Sequence, residues 1–227
     1  MLTTKDHVIA SLIKAQDYIS GEAISSELGI SRAAVNTAVK ALRSEGYDID
    51  SSTNKGYILK SYPYKLNLGE ISSYLPASRL DNVIVQSSVT STNDLLKALA
   101  SEGAPAGTVL IADSQTKGKG RRGRSFESPS GTGLYFSYLL RPSAAPSDVT
   151  HVTACAAVCV HNAILRATGL DASIKWVNDL LMNNRKICGI LTEMSVETET
   201  GAIDNIVIGI GINVNHSIED FSCQKVA

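Results

Sequence analysis

The sequence predicts an α+β protein in two parts, a small helical domain over residues 1–62 and a larger mixed-sheet domain over residues 63–227. Three observations carry this expectation. Apolar residues recur at helical spacing up to about Ser44, interrupted at Ser20-Gly21 and Gly29. Beyond Leu80 they gather instead in short β-branched runs separated by Gly, Pro, Ser and Asn. One long Ala- and Val-rich stretch, residues 148–167, interrupts those runs and reads as a helix. Hydrophobic residues make up 44% of the 227, enough for a sizeable core, and the formal net charge of -1 argues against a protein that coats nucleic acid through overall positive charge.

In the first part, Val8, Ile9, Leu12 and Ile13 mark one helix over residues 5–16. A short helix over 22–28 stops at Gly29, and Ser31 is a good N-cap for a longer one running from Arg32 to Ser44. Two short strands, 47–50 and 57–59, flank a polar loop that ends in Gly56. Helix, turn, helix and hairpin together are the winged helix-turn-helix pattern. In that reading the helix from Arg32 enters the DNA major groove. Ser31, Arg32, Asn36, Thr37 and Lys40 lie on its polar side or at its start, and Lys55 in the wing reaches a neighbouring phosphate. The alternative is a three-helix interaction module, favoured by acids that match the bases in number over residues 1–60. A charge-balanced domain of this kind binds DNA weakly as a monomer, so DNA binding implies a dimer on a two-part site. Residues 61–66, around Pro63, read as a linker, and 68–75 as a short helix.

The second part opens with a strand at 82–86. A run of cap-forming residues, Ser87 to Asp94, then leads into a helix that starts near Thr92 or Asn93. Its first N–H groups are free to face an anion or polar ligand, although capping alone accounts for one such side chain. A strand at 108–112 delivers the chain into Gln115-Thr116-Lys117-Gly118-Lys119-Gly120-Arg121-Arg122-Gly123-Arg124-Ser125-Phe126. Five cations in eight residues, interleaved with glycines, point to a polyanion site whose backbone N–H groups approach phosphate oxygens. The segment matches G-x-G-x-x-G by letter, and nearly matches the phosphate-loop pattern, but both need a helix directly afterwards. Pro129, Gly131 and Gly133 preclude one, so the stretch is a cationic loop between strands that can close over a phosphate-bearing ligand.

The outgoing strand is 134–140. The long helix at 148–167 carries His151 and His161, both read as surface or packed residues. Cys155 and Cys159, four apart on it, read as core thiols. With Cys188 and Cys223 they form no zinc pattern, and buried free thiols in a cytosolic protein is the expectation. No metal-ligating cluster is evident, no signal peptide opens the chain, and no apolar run is expected to span a bilayer. The reading is therefore a soluble, cytoplasmic protein. A strand at 173–179 holds Lys175 among apolar residues, where the ammonium must pair with an anion, reach solvent or carry a desolvation cost. A hairpin over 180–194 turns at Asn183-Asn184-Arg185. In a last strand, 203–214, Gly209 and Gly211 leave one face bare, either for another backbone or a flat ligand, or as a bulge or tight bend.

The winged helix, Ser91-Thr92-Asn93, Gly118 to Arg124, Lys175-Trp176-Val177-Asn178-Asp179, Lys186 to Glu193 and Gly209 to Asn213 occur here in an order and spacing that resembles the bifunctional biotin–protein ligases and biotin-operon repressors. The resemblance covers nearly the whole chain and implies a biotin/lipoate-ligase-like catalytic domain. It implies ATP-dependent activation of biotin to biotinoyl-AMP, transfer of biotin to a lysine of a biotin carboxyl carrier protein, and repression of biotin genes at operator DNA. ATP and biotin are then substrates, Mg²⁺ accompanies ATP, and a ligand-promoted homodimer is expected.

By the same resemblance Ser91, Thr92, Asn93 and Gln115 hold the biotin ring system, with Lys119, Gly120 and Gly189 beside them. Arg121 and Lys175 are the catalytic pair. Gly118, Arg124, Phe126, Asn178 and Asn213 serve ATP and the adenylate together with Arg121. Departures are Val177 where the motif commonly has Pro, and Lys119 where Arg is commoner and bidentate. Phe126 stands where Trp is frequent, and the chain ends at Ala227 where relatives continue into a small all-β domain, so that domain is expected to be absent. Alternatives are a biotin- or adenylate-sensing transcription factor with little ligase activity, and a lipoate–protein ligase.

Overall fold

The computed structural model describes residues 2–216. Cys223 lies outside the described residues. The chain divides into two compact units, residues 1–85 and 86–227.

In the first unit, α1 (Thr4–Ala15) starts from a capping box. Asp6 N–H donates to the Thr3 hydroxyl, and the Asp6 carboxylate accepts the Thr3 N–H at 2.8 Å. Helix α2 (Gly21–Leu28) is capped by Ser20 and ends at Gly29 with φ 63°. Helix α3 (Arg32–Ser44) is capped by Ser31, whose hydroxyl accepts the Ala34 N–H at 3.1 Å. Val8, Ile9, Leu12, Ile24, Val35 and Leu42 close the core between the three helices. Strands β1 (Asp48–Ser52) and β2 (Gly56–Ser61) pair antiparallel as the wing. A bridge between Ile19 and Tyr57 fastens β2 to the segment before α2.

The unit boundary falls beyond the expected junction after residue 62 because α4 (Leu68–Ser72) packs on α1, with Gly69 buried there. The Tyr47 hydroxyl also donates to Glu70 of α4. A further helical turn, α5 (Ala77–Leu80), was not foreseen, and β3 (Val83–Gln86) straddles the boundary.

In the second unit, strands β4 (Val109–Ala112), β5 (Gly133–Leu140), β6 (Ser173–Lys175), β7 (Asp179–Met182), β8 (Arg185–Val196) and β9 (Ile203–Asn213) lie in the order β4-β5-β9-β8-β7-β6. These pairings are antiparallel, while an isolated bridge between Val89 and Gln115 is parallel. Alternation along β9 splits its side chains between two faces. Ile206, Ile208 and Ile210 join the core with Ala157 and Val160 of α7 (Val152–Thr168). On the other face, Gly209 lies under the start of α6 (Thr92–Ser101).

Several expectations are corrected. A 3₁₀ turn at Pro146–Val149 precedes α7, so the α-helix proper begins at Val152. Pro146–Thr168 together is long and apolar enough to cross a membrane, contrary to the sequence reading. It nevertheless packs Ala157 and Val160 against the sheet, as the covering helix of a core does. Cys155 and Cys159 are exposed, because the buried stripe of α7 runs through Ala157 and Val160; of the described cysteines only Cys188 is buried. The 173–179 strand is two strands, with Lys175 paired to Asp179 across a turn at 176–178. His161 is packed as expected, its Nδ1 2.8 Å from the Ala172 carbonyl.

Candidate functional site

A cleft, about 440 Å³ of space counting its open mouth to solvent, lies over the bare face of the sheet. Its floor is the first turn of α6. Ser91 caps the helix through the Asp94 N–H, and Thr92 and Asn93 are buried. The Thr92 N–H donates to Gln115 Oε1 at 2.8 Å, and Gln115 Nε2 donates to the Ser128 hydroxyl at 2.8 Å. One amide thus ties the helix start to the far arm of the cationic loop. Asn93 Nδ2 donates to Glu193 at 2.7 Å, and its Oδ1 lies 2.6 Å from the Ser137 hydroxyl.

The two glycines of β9 are explained by side chains, which neither sequence alternative foresaw. A Cβ at Gly209 would collide with the Asn93 amide, and one at Gly211 with the Phe126 ring. Phe126 also lies over Gly189, with its centroid 6.4 Å from that of Tyr135 and edge-on to it. The cationic loop is therefore seated on the sheet by an aromatic foot in a slot that only glycine leaves open.

Around the slot the charges are paired. Lys119 Nζ meets Asp94 at 2.6 Å, and Lys97 bridges Asp94 at 3.4 Å and Glu193 at 2.6 Å. Burial works to raise the Asp94 carboxyl, but Lys119 and Lys97 outweigh it and hold the group below the usual carboxylate range. Lys97, opposed by its own burial, is held above the usual lysine range by Glu193 and Asp94. Arg121 donates to Asn178 Oδ1 at 2.7 Å, and Lys186 Nζ lies 2.9 Å from Asp179. The turn 176–178, whose Trp176–Val177 peptide is cis, thus holds one cation from the loop while the residue after it holds one from β8.

Of the residues singled out in the sequence, Ser91, Thr92, Asn93 and Gln115 line the cleft. So do Lys119, Gly120, Arg121 and Phe126 from the loop, and Asn178 and Gly189 from the sheet side. Lys175 does not: it sits in edge strand β6, all three residues of which are exposed, so its ammonium reaches solvent. Gly118 instead serves close approach within the loop, where a Cβ would meet the Phe126 carbonyl. Arg124 is exposed, and its carbonyl accepts the Gly120 N–H at 2.7 Å. Asn213 lies outside the lining; its Nδ2 donates to the Lys186 carbonyl at 3.1 Å, and its buried Oδ1 meets no hydrogen-bond partner among the described residues.

The residue that sequence reasoning missed is Lys186, which lines the cleft. Its signal was the one given to Lys175, a lysine in an apolar strand, and only burial separates the two. Among the described residues, no three His, Cys, Asp or Glu side chains converge as a metal cage.

In the first unit, Arg32, Asn36, Thr37 and Lys40 are exposed along one face of α3. Ser31 is engaged in its cap, Thr37 Oγ1 donates to the Ala33 carbonyl at 3.0 Å, and Arg32 lies 3.5 Å from Glu22. Lys55 is exposed at the wing tip, with its ammonium 5.6 Å from the Tyr18 ring.

Comparison with known proteins agrees with this division. The biotin/lipoate A/B protein ligase family matches residues 85–213, and an HTH domain matches residues 4–58. The bifunctional ligase/repressor BirA of Bacillus subtilis is 40% identical over 206 residues, covering 90% of this chain and 63% of its own length. BirA of Escherichia coli is 35% identical over 207 residues, covering 91% and 62%. The chain thus spans just over three-fifths of these relatives. A mutant biotin protein ligase from Aquifex aeolicus in complex with biotin is similar in structure, at a TM-score of 0.51 and 34% identity, over 62% of this chain and 56% of that one.

Proposed function

The chain belongs to the biotin/lipoate A/B protein ligase family, and from that membership we propose that it activates biotin with ATP and passes it to a carrier-protein lysine. The observation that carries this reading is the meeting of Arg121, Lys119 and Lys186 over a floor of paired amide and hydroxyl oxygens. Joining a carboxylate to the α-phosphate of ATP brings two anions together, so charge neutralisation and alignment dominate the barrier. A biotin carboxylate oxygen bonds to the α-phosphorus as the bond to pyrophosphate breaks. Lys186, at the cleft wall, takes the role first expected of Lys175 and neutralises the carboxylate and α-phosphate. Arg121, oriented by Asn178, stabilises the charge on the phosphate. The carrier lysine then attacks the acyl carbon, and AMP leaves.

Ser91, Thr92, Asn93 and Gln115 hold the ureido ring, with Lys119, Gly120 and Gly189 around it. Phe126 and Asn213 border the adenine, with Gly118 shaping the loop and Arg124 facing the phosphates. Mg²⁺ would enter with ATP, held chiefly by phosphate oxygens and water. The first unit binds operator DNA through α3 and Lys55 as a ligand-promoted homodimer, and the protein works in the cytoplasm.

The test is biotin-dependent exchange of labelled pyrophosphate into ATP, followed by mass spectrometry of the bound species. Exchange and a biotinoyl-AMP mass are expected. Their absence with saturating biotin and ATP refutes the ligase reading, and tighter calorimetric binding of lipoate than of biotin would redirect it to a lipoate ligase.

A further inference from the structure

The tip of the cationic loop, residues 118–125, is folded on itself. The Gly120 N–H donates to the Arg124 carbonyl at 2.7 Å, and the Phe126 N–H donates to the Gly118 carbonyl at 2.9 Å. Two cations of the tip reach out to separate elements. Arg121 donates to Asn178 Oδ1 at 2.7 Å, in the turn that joins β6 to β7. Lys119 Nζ meets Asp94 Oδ1 at 2.6 Å, in the first turn of α6. Lys119, Arg121 and Asn178 all line the cleft, so both fastenings act at the site. They differ in kind. Asn178 offers a neutral amide oxygen, whereas Asp94 adds the attraction of an opposite charge.

Asp94 does not stand alone. Its N–H donates to the Ser91 hydroxyl at 3.4 Å, and the first turn of a helix suits a negative charge. Lys97, on the same helix, lies 3.4 Å from the Asp94 carboxylate and 2.6 Å from Glu193. Glu193 in turn accepts the Asn93 amide at 2.7 Å. Lys119, Asp94, Lys97 and Glu193 therefore alternate in sign from the loop tip, across α6, to β8. Their charges sum to zero, so the row adds no net attraction for an incoming anion. What it fixes is the place of the loop tip, because it ties a glycine-rich segment to a helix that is held on the sheet.

We infer that Asp94 is a positioning residue of the ligase site: through Lys119, and backed by Lys97 and Glu193, it holds the loop tip at the cleft before any ligand arrives. A loop already in place loses less conformational freedom on binding, so the carboxylate strengthens ligand binding without touching the ligand. It also divides the labour of the loop cations. Lys119 stays with a carboxylate, while Arg121, tied to a neutral amide, is the one that can turn to a phosphate. This inference rests on the reading of the cleft as the place where biotin is activated.

The test is Asp94→Asn, which keeps the shape and removes the charge, beside Lys119→Met and the double variant, all in the full chain. Hydrogen exchange of the 118–126 amides, followed without ligand, should be about two- to five-fold faster in each single variant, the range that a part-exposed ion pair supports. The double variant should be no faster than either single one, because both remove the same interaction. The difference should fade in about 1 M salt, where the screening length is about 3 Å, and melting should not move. In biotin-dependent pyrophosphate exchange, Asp94→Asn should raise the KM for biotin by about the same factor and leave kcat as it is. Loop exchange or a KM that does not change in Asp94→Asn, a fall in kcat, additive effects in the double variant, or an effect that survives high salt would each overturn the inference. The hydrogen-exchange arm uses no ligand, so it decides whether Asp94 holds the loop even if the wild type exchanges no pyrophosphate, a result that refutes the ligase reading instead.

Discussion

Replacing Gly211 by Ala tests whether the cationic loop is held by its aromatic foot. The new Cβ would stand 2.6 Å from Phe126 Cζ, about 1 Å inside ordinary carbon contact. The other edge of the ring lies over Gly189, and the Lys186 ammonium is 5.9 Å from its centroid. To make room the ring must shift out of the slot. Full removal of a buried Phe costs about 3–5 kcal/mol. Phe126 is only half-buried, so the loss is on the order of 1–2 kcal/mol. Because that energy belongs to the closed loop and not to the core, it should appear as about 5–30-fold weaker biotin binding with little change in melting. Trypsin should also cut faster at Lys119, Arg121, Arg122 and Arg124. Phe126→Ala should do the same, and the double variant should be no worse than Phe126→Ala alone, since the clash vanishes with the ring. Additive losses in the double variant would refute the slot as the seat of the loop.

Three further outcomes follow from the geometry. Lys186→Ala should lower biotin-dependent pyrophosphate exchange by about 10²-fold or more, while Lys175→Ala leaves it within about three-fold; equal losses would return Lys175 to the site. Glu70, whose carboxyl is pushed up by burial against the lowering effect of the Tyr47 hydroxyl, contributes stability fully present below its unfolded pKa and lost as pH rises through the higher folded value. Glu70→Gln should remove that decline, so melting curves from acid to neutral pH should converge in acid and separate in the variant's favour near neutrality. Lys40→Ala should weaken operator binding and reduce the logarithmic salt slope by about 0.9 for each phosphate that Lys40 neutralises; an unchanged slope in a fluorescence titration would remove Lys40 from the DNA face.

What the sequence disclosed was mostly local. Ser31 and Gly29 announced the ends of their helices because a cap depends on residues three or four apart. The cationic loop was legible because charge and glycine content are properties of a single segment. The misreadings were non-local. Lys175 and Lys186 look alike as lysines among apolar neighbours, and the sheet order, which leaves β6 at an edge, decides which one reaches the cleft. Cys155 and Cys159 share a helix face as expected, but which face meets the sheet is fixed by Ala157 and Val160, small residues that carry little signal of their own. The glycines of β9 showed that something lies against them. Asn93 and Phe126, more than eighty residues earlier in the chain, could be identified only from their approach in three dimensions.

Gln115 gives its amide oxygen to the start of α6 and its amide nitrogen to Ser128 across the base of the loop. A ligand that disturbs or reinforces either end therefore acts on both. By thermodynamic reciprocity, the factor by which an ordered loop tightens the ligand is the factor by which the ligand favours the ordered loop. If loop order also governs self-association, subunit affinity becomes a readout of occupancy through one side chain. The protein would then need no separate sensor, because filling the cleft and reporting that it is filled are two sides of the same equilibrium.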